Sequence, residues 1–323
     1  MPLIAKQTYT KLAKSFDEQI ALLRSRGVII GDEQKAKEYL SDIGYYRLGF
    51  YSHPFEITYP ELGIRRRHNV KPGTRIEDIV ALYYYDLDLR TLLNRYLSRI
   101  EVSIRSTVTY ELSIKYRPDQ TWFISPAVMR HVFIKHFDKE VYSHLRNKPT
   151  IVRHHKKYYG KYAPAWKTIE FMTMGNMEAL YDNLLLDVDK RLISNTYSEP
   201  AISSFKSYLS VIREVRNACA HGNVLYDLRL VSGVITGAAC PHLIPGSQQT
   251  LNGALRVIDF MLRQISLNRA QDMWGELFRA TERLYSIVPS IRPLIEMKTG
   301  IQIPAKRNIG TKIGDYLAKI FGK

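Results

Sequence analysis

The stretch Ser203-Ser-Phe-Lys-Ser-Tyr-Leu-Ser-Val-Ile-Arg-Glu-Val-Arg-Asn-Ala-Cys-Ala-His-Gly222 decides the fold class. Phe205, Leu209, Ile212, Val215 and Cys219 recur every three or four residues, which lays one apolar stripe along a helix. Ser203 and Ser204 are residue types that open helices, and Gly222 suits the position just past a helix end. The spacing predicts a helix over 203–221. Arg216 follows Val215 and so emerges at the edge of the stripe. His221 falls in the last turn, where the negative end of the helix dipole favours its protonated form.

The same signals repeat outward. Ser15 with Glu18 forms a capping box that opens a helix closed by Gly27. Asp32 caps a second helix to about Asp42. From about Arg75 to Tyr116, Leu82, Tyr85, Leu89, Leu92, Tyr96, Ile100, Ile104 and Val108 keep helical spacing, and Arg117-Pro118 ends the run. Further helices are expected over 125–146, 166–186, 252–266 and 269–287. Residues 43–67 are richer in aromatics, proline and glycine and read as a short hairpin or loop. Tyr45, Tyr46, Phe50, Tyr51 and Phe55 there are core packing, with base stacking by one or two of them the sharper alternative. Residues 222–250 read as a long connection that holds a partner protomer or shapes a site entrance. The expected fold class is all-α.

Composition narrows the partners. The 323 residues carry 47 Lys and Arg against 31 Asp and Glu, a net charge of +16. Such an excess attracts polyanions, nucleic acid first and an anionic membrane surface second. Hydrophobic residues make up 45% of the chain, enough for a sizeable core. Cys219 and Cys240 are the two cysteines, too few for a disulfide framework or a four-cysteine zinc site. Met1–Gln7 lacks the apolar region of a signal peptide, and no apolar run approaches the ~20 residues that span a bilayer. A cytoplasmic protein with no membrane partner is expected. The histidines form no metal-binding pattern; His154 and His155, being adjacent, would point apart on a helix. No metal or other cofactor is expected.

Arg216-Asn217-Ala-Cys-Ala-His221 sets a fixed cation, an amide and a titratable imidazole within about one and a half helical turns. The trio suits cleavage of a phosphodiester without a metal: the imidazole moves protons and the guanidinium holds the non-bridging oxygens. The plainer reading is that these residues only cap and solvate a helix end. Glu101 and Arg105, four apart, are neighbours on one helix face. They are an ordinary ion pair, or a support in which Arg105 is a second cation for the phosphate and Glu101 orients it.

Two basic segments stand out, with a third, shorter one. Between Glu140 and Glu170 there is no acid, while Arg146, Lys148, Arg153, Lys156, Lys157, Lys161 and Lys167 alternate with Tyr158, Tyr159, Tyr162 and Trp166. Cations track phosphates and rings stack bases, so Arg153, Lys156, Lys157, Tyr158, Tyr159 and Lys161 are candidate RNA contacts. The alternative is a solvated loop whose tyrosines pack on the bundle. Lys298, Lys306, Arg307, Lys312, Lys319 and Lys323 make a basic tail, in which Ile313, Leu317, Ile320 and Phe321 suit a short amphipathic helix. Arg65-Arg66-Arg67-His68 is the shorter cluster, and Arg65, Arg66 and Arg67 are further candidate RNA contacts.

Five segments carry a family resemblance, in order: Ser15-Phe-Asp-Glu-Gln-Ile-Ala-Leu-Leu-Arg-Ser-Arg-Gly27, Ile43-Gly-Tyr-Tyr-Arg-Leu-Gly-Phe-Tyr51, Arg99-Ile-Glu-Val-Ser-Ile-Arg105, Ala163-Pro-Ala-Trp166 followed by Met174-Gly-Asn176, and Arg216-Asn-Ala-Cys-Ala-His221. The chain resembles the abortive-infection proteins of the AbiD/AbiF type, Abi-like members of the HEPN ribonuclease superfamily. The run Gly222-Asn-Val-Leu-Tyr-Asp227 after the histidine looks closer to the AbiF branch. The resemblance implies a HEPN-like helical bundle over 75–290 with a basic insertion at about 141–169, an N-terminal helical, tyrosine-rich subdomain over 1–74, and the basic tail over 291–323. It also implies a homodimer formed through the motif helices, and phage defence by a metal-independent endoribonuclease using Arg216, Asn217 and His221. RNA such as transfer RNA is the implied substrate, and a small noncoding RNA a further partner. A non-catalytic RNA-binding or scaffolding protein is the competing expectation.

Overall fold

The computed structural model describes residues 11–241 and 246–303. The fold is all-α: among the described residues there are helices and isolated β-bridges but no strand. The helices are α1 (Phe16–Ser25), α2 (Glu33–Ile43), α3 (Tyr45–Ser52), α4 (Ile76–Lys115), α5 (His131–Phe137), the single turn α6 (Ser143–Leu145), α7 (Pro149–Lys157), the single turn α8 (Ala165–Thr168), α9 (Met174–Asp182), α10 (Asp187–Thr196), α11 (Ile202–Ala220), α12 (Leu251–Ile265), α13 (Leu267–Ile287) and α14 (Arg292–Thr299). No helix among the described residues is long and apolar enough to cross a membrane.

One compact unit takes the described residues up to Tyr85 with Arg283–Ile291. Its α1 opens on the capping box: Glu18 N–H donates to Ser15 Oγ at 3.3 Å and Ser15 N–H to Glu18 Oε2 at 2.7 Å. Gly27, at φ 90°, ends it, with Val28 N–H bonded to the Leu23 carbonyl at 3.1 Å. Asp32 caps α2 by accepting from Lys35 N–H at 3.0 Å. The loop or hairpin expected over 43–67 is corrected in part, because Tyr45–Ser52 is helical. Gly44, at φ 83°, turns the chain out of α2 and directly into α3, so one residue serves both ends and the break looks longer in sequence than it is. Tyr51 and Phe55 are buried with Ile20, Leu23, Leu40, Leu48, Ile76 and Ile79, whereas Tyr46 and Phe50 are exposed.

The other unit takes the described residues of Asp86–Glu282 and those from Arg292 to Ile303. Here α11 is the organising helix, packed against α9, α10 and α12. Its buried Phe205 stacks on Tyr197 and meets Tyr181 edge-on, with ring centroids 5.5 and 5.2 Å away. Trp274 is buried and donates to Asp259 Oδ1 at 2.9 Å, which satisfies a polar group that burial would otherwise penalise.

Several expectations change in this unit. Helix α11 starts at Ile202 after Ala201, so Ser203 and Ser204 are not its caps. Ser204 is buried and donates to the Thr236 carbonyl at 2.8 Å. Ser207 Oγ accepts from Ile235 N–H at 3.0 Å, and Tyr208 Oη from Ala239 N–H at 3.0 Å. These side chains pin the long connection after α11 onto the helix itself. The single helix expected over 166–186 breaks, since Thr173 and Asn176 form a fresh capping box, Asn176 N–H to Thr173 Oγ1 at 3.2 Å and Thr173 N–H to Asn176 Oδ1 at 3.2 Å. Helix α10 was not expected. The span 125–146 is helical only from His131, with a π-helical stretch over Asp138–Tyr142. The segment read as a tail from 291 carries α14. Lys306 to Lys323 and the amphipathic helix expected there lie outside the described residues.

Candidate functional site

Helix α11 buries Phe205, Tyr208, Leu209, Ile212, Val215 and Ala218 on one side, and that choice of face turns Arg216 and Asn217 toward half-buried positions. The helix end is a complete left-handed cap. His221 is the C-cap residue, its N–H bonded to the Asn217 carbonyl at 2.9 Å. Gly222 sits at φ 68° and Asn223 N–H returns to the Ala218 carbonyl at 2.9 Å. A side chain at Gly222 would be strained at that φ. The cap leaves His221 exposed, and among the described residues no hydrogen bond or ion pair holds its ring.

Glu101 collects the cations. It is 8% exposed. Its Oε1 accepts from Arg105 Nη2 at 2.5 Å, and its Oε2 lies 3.7 Å from Arg216 Nε. Arg105 Nε also donates to the Met172 carbonyl at 2.9 Å, which fixes the fork. Arg216 Nη1 donates to Asn217 Oδ1 at 3.4 Å. Two guanidiniums share one carboxylate, so the cluster keeps an excess positive charge. Arg216, with a side chain 37% exposed, is the member that can present it to a ligand. Five residues carry Arg216 about 140° round the helix from His221, while Asn217, four residues away, shares the histidine's face. Burial pushes the Cys219 thiol up to about 12 despite the Arg90 charge, so it is a neutral thiol and no nucleophile.

Sequence reasoning missed the residues that hold the loop after His221. Asp86 of α4 is fully buried. It accepts from Leu225 N–H at 2.9 Å and Tyr226 N–H at 2.7 Å, and pairs with Arg90 one turn on. Arg90 Nη1 donates to the Asn223 carbonyl at 3.2 Å. The pair thus clamps residues 223–226 by their backbone. An Asp and an Arg four apart beside Tyr85 and Leu89 were the available signal, but nothing in the sequence names a backbone as their partner.

The basic stretch past Glu140 is structured. Helix α7 starts with Pro149 at its first position and buries only Ile151. Arg153, Lys156 and Lys157 are exposed along it, followed by exposed Tyr158, Tyr159 and Lys161. His154 and His155 do not point apart: their ring centroids lie 5.3 Å from each other. Tyr142 Oη bridges the two ends of the segment, 2.6 Å from His155 Nε2 and accepting from Ala163 N–H at 3.0 Å.

The cluster Arg65-Arg66-Arg67 belongs to the unit that holds α1–α3, and its members differ. Arg65 and Arg67 are exposed. Arg66 instead donates through Nε and Nη2, both at 2.8 Å, to Glu56, which is 1% exposed, and through Nη2 to the Gly49 carbonyl at 3.2 Å. Burial works to raise the Glu56 carboxyl, but the Arg66 and His68 bonds outweigh it and leave it below its ordinary value. A depressed carboxyl contributes stability at neutral pH that fades as the pH drops through its folded value. Arg66→Ala is expected to cost about 3 kcal/mol, read as a lowered urea midpoint. Arg65→Ala and Arg67→Ala are expected to leave that midpoint unchanged; equal stability losses in all three would refute the distinction.

A family model described as Abi-like protein matches residues 38–227. The matched segment starts inside α2 and ends directly after the loop that Asp86 clamps. No curated protein and no solved structure matches the chain.

Proposed function

The chain belongs to the Abi-like protein family, which points to abortive infection, and on that premise we propose that it is a phage-defence endoribonuclease whose chemistry runs on His221 and Arg216. The observation that carries the reading is the exposed, unpaired imidazole at a backbone-made helix cap, on the helix whose Arg216 joins Glu101 and Arg105 of α4 in a cationic cluster.

RNA brings its own nucleophile, the 2′-hydroxyl. His221 takes the 2′-proton, the 2′-oxygen bonds to the adjacent phosphorus, and the bond from phosphorus to the 5′-oxygen breaks. A second His221, from a partner copy, donates the proton that the leaving oxygen needs. The products are a 2′,3′-cyclic phosphate and a 5′-hydroxyl. Arg216 stabilises charge on the non-bridging oxygens, and Asn217 holds the guanidinium. The divergence of Arg216 and His221 round one helix is the reason for invoking a pair of α11 helices, since two copies facing each other bring both groups onto one phosphate. Exposed Lys and Arg on α7 supply the sequence-independent grip on the backbone, to which a small noncoding RNA would also bind.

The test is end-group chemistry. Total cellular RNA incubated with the purified protein in excess chelator should gain 2′,3′-cyclic phosphate ends at an undiminished rate. A salt-dependent mobility shift with no new ends would establish a binding protein instead.

A further inference from the structure

Beside the end of α7 lies a cleft of about 680 Å³, lined in part by His154, Tyr158, Tyr159, Lys161, Trp166 and Lys167. We propose that this cleft is a nucleotide-binding site, with the base against Tyr158 and Trp166 and the phosphate on Lys161 and Lys167. The inference deepens the RNA reading above and rests on it for the source of the nucleotide, though not for the binding chemistry.

Several observations converge on it. The size falls within the ~300–1,000 Å³ typical of small-molecule sites. Tyr159 is fully exposed, and Tyr158 and Trp166 are 49% and 50% exposed. Three exposed rings gathered at one cleft form the kind of exposed apolar patch that marks a ligand groove, and rings of this kind stack bases. The aromatic residues behind them are, by contrast, packed: Tyr142 meets Tyr162 at 4.8 Å and Phe137 meets Tyr162 at 5.6 Å between centroids. That floor holds the cleft in shape before any ligand arrives. Gly160, directly after Tyr159, holds φ 120°, a backbone angle that residues with side chains rarely adopt.

The charge around the rings selects an anion. Lys157 and Lys167 sit 5.4 and 6.0 Å above the Tyr158 ring. Lys161 has one acid near it, Asp138 at 3.5 Å, and both are largely exposed. His154 lies against Tyr158 with centroids 5.0 Å apart, and its Nδ1 is 3.5 Å from Lys167 Nζ. Burial, Lys167 and His155 together lower its pKa, so at neutral pH its ring is neutral and can hydrogen-bond a base edge. The π-helical turn over Asp138–Tyr142 aims Tyr142 at both His155 and Ala163. Such turns recur at functional sites. Flat rings ringed by cations fit a planar base carrying a phosphate; an acidic peptide would use the cations and leave the rings idle.

Tryptophan fluorescence reads the site directly, because Trp122 and Trp274 are buried while Trp166 is half exposed. The protein used is the full chain with His221→Ala, so that RNA is not consumed. Titration with AMP or hexaadenylate should give saturable quenching, and adenosine should bind at least about tenfold more weakly for want of a phosphate. Tyr158→Ala, and separately Lys161→Ala with Lys167→Ala, should each weaken binding by about tenfold or more while the unfolding midpoint holds. Hexaadenylate binding more than about tenfold tighter than AMP identifies a single-stranded RNA segment as the source; equal affinity identifies a free nucleotide. No saturable quenching by either, or adenosine binding as well as AMP, overturns the proposal. Quenching that persists where the wild-type protein cuts no RNA would sink the nuclease reading and leave the cleft standing.

Discussion

His221→Ala is expected to lower the single-turnover rate of RNA cleavage by about 10²–10⁴-fold with the unfolding midpoint unchanged. The imidazole makes no bond among the described residues, so its removal leaves nothing unpaired. The cap survives because it is made by backbone groups and Gly222: His221 holds φ −90° and ψ 2°, which alanine adopts without strain. Loss of rate therefore reports chemistry and not folding. Added imidazole should restore part of the rate by replacing the missing proton carrier. Arg216→Ala is expected to fall as far, because in the proposed reaction the guanidinium meets the additional charge that builds on the phosphate oxygens in the transition state. Its stability loss stays small, since Glu101 keeps Arg105 and no buried carboxylate is stranded. Arg216→Lys should recover only part of the rate, as an ammonium cannot bond two phosphate oxygens in a plane. Wild-type cleavage rates in both alanine variants would remove these residues from the reaction.

Asp86→Ala should be the most destabilising of the substitutions considered, by about 3–5 kcal/mol. The change removes the carboxylate that balances the buried Arg90 guanidinium and that accepts from the N–H groups of Leu225 and Tyr226, and losing a buried acceptor is costly. Asp86→Asn is the informative control. Its amide oxygen still accepts from the two N–H groups, but it no longer offsets the Arg90 charge, so its loss should lie between wild type and alanine. In the folded fraction of either variant, hydrogen exchange should accelerate at Asn223–Tyr226 first, and cleavage should drop because the loop no longer holds the cap at His221. An unfolding midpoint unaffected by Asp86→Ala would show that the clamp carries no weight.

Some features were legible because their physics is local. The capping box at Ser15, the Asp32 cap, the glycines that end α1 and α11, and the stripe along α4 each depend on residues within a turn or two of one another. The Glu101–Arg105 pair is of the same kind. Helix α3 escaped because its aromatics look like loop composition, although Leu48 and Tyr51 bury one face. Ser204 misled for the opposite reason: the residue type that caps helices was recruited into the core by a carbonyl at Thr236.

By itself, then, the chain's sequence determined an all-α fold, the end of the motif helix at His221 and the basic, aromatic character of 141–169, since periodicity, capping and charge are properties of neighbours. Tertiary structure alone decided that Arg66 answers to Glu56, that Glu101 reaches across to Arg216, that Asp86 grips a backbone 139 residues away, and that the rings after α7 line a cleft. A buried charge must find its complement wherever packing places one, and distance along the chain says nothing of where that is.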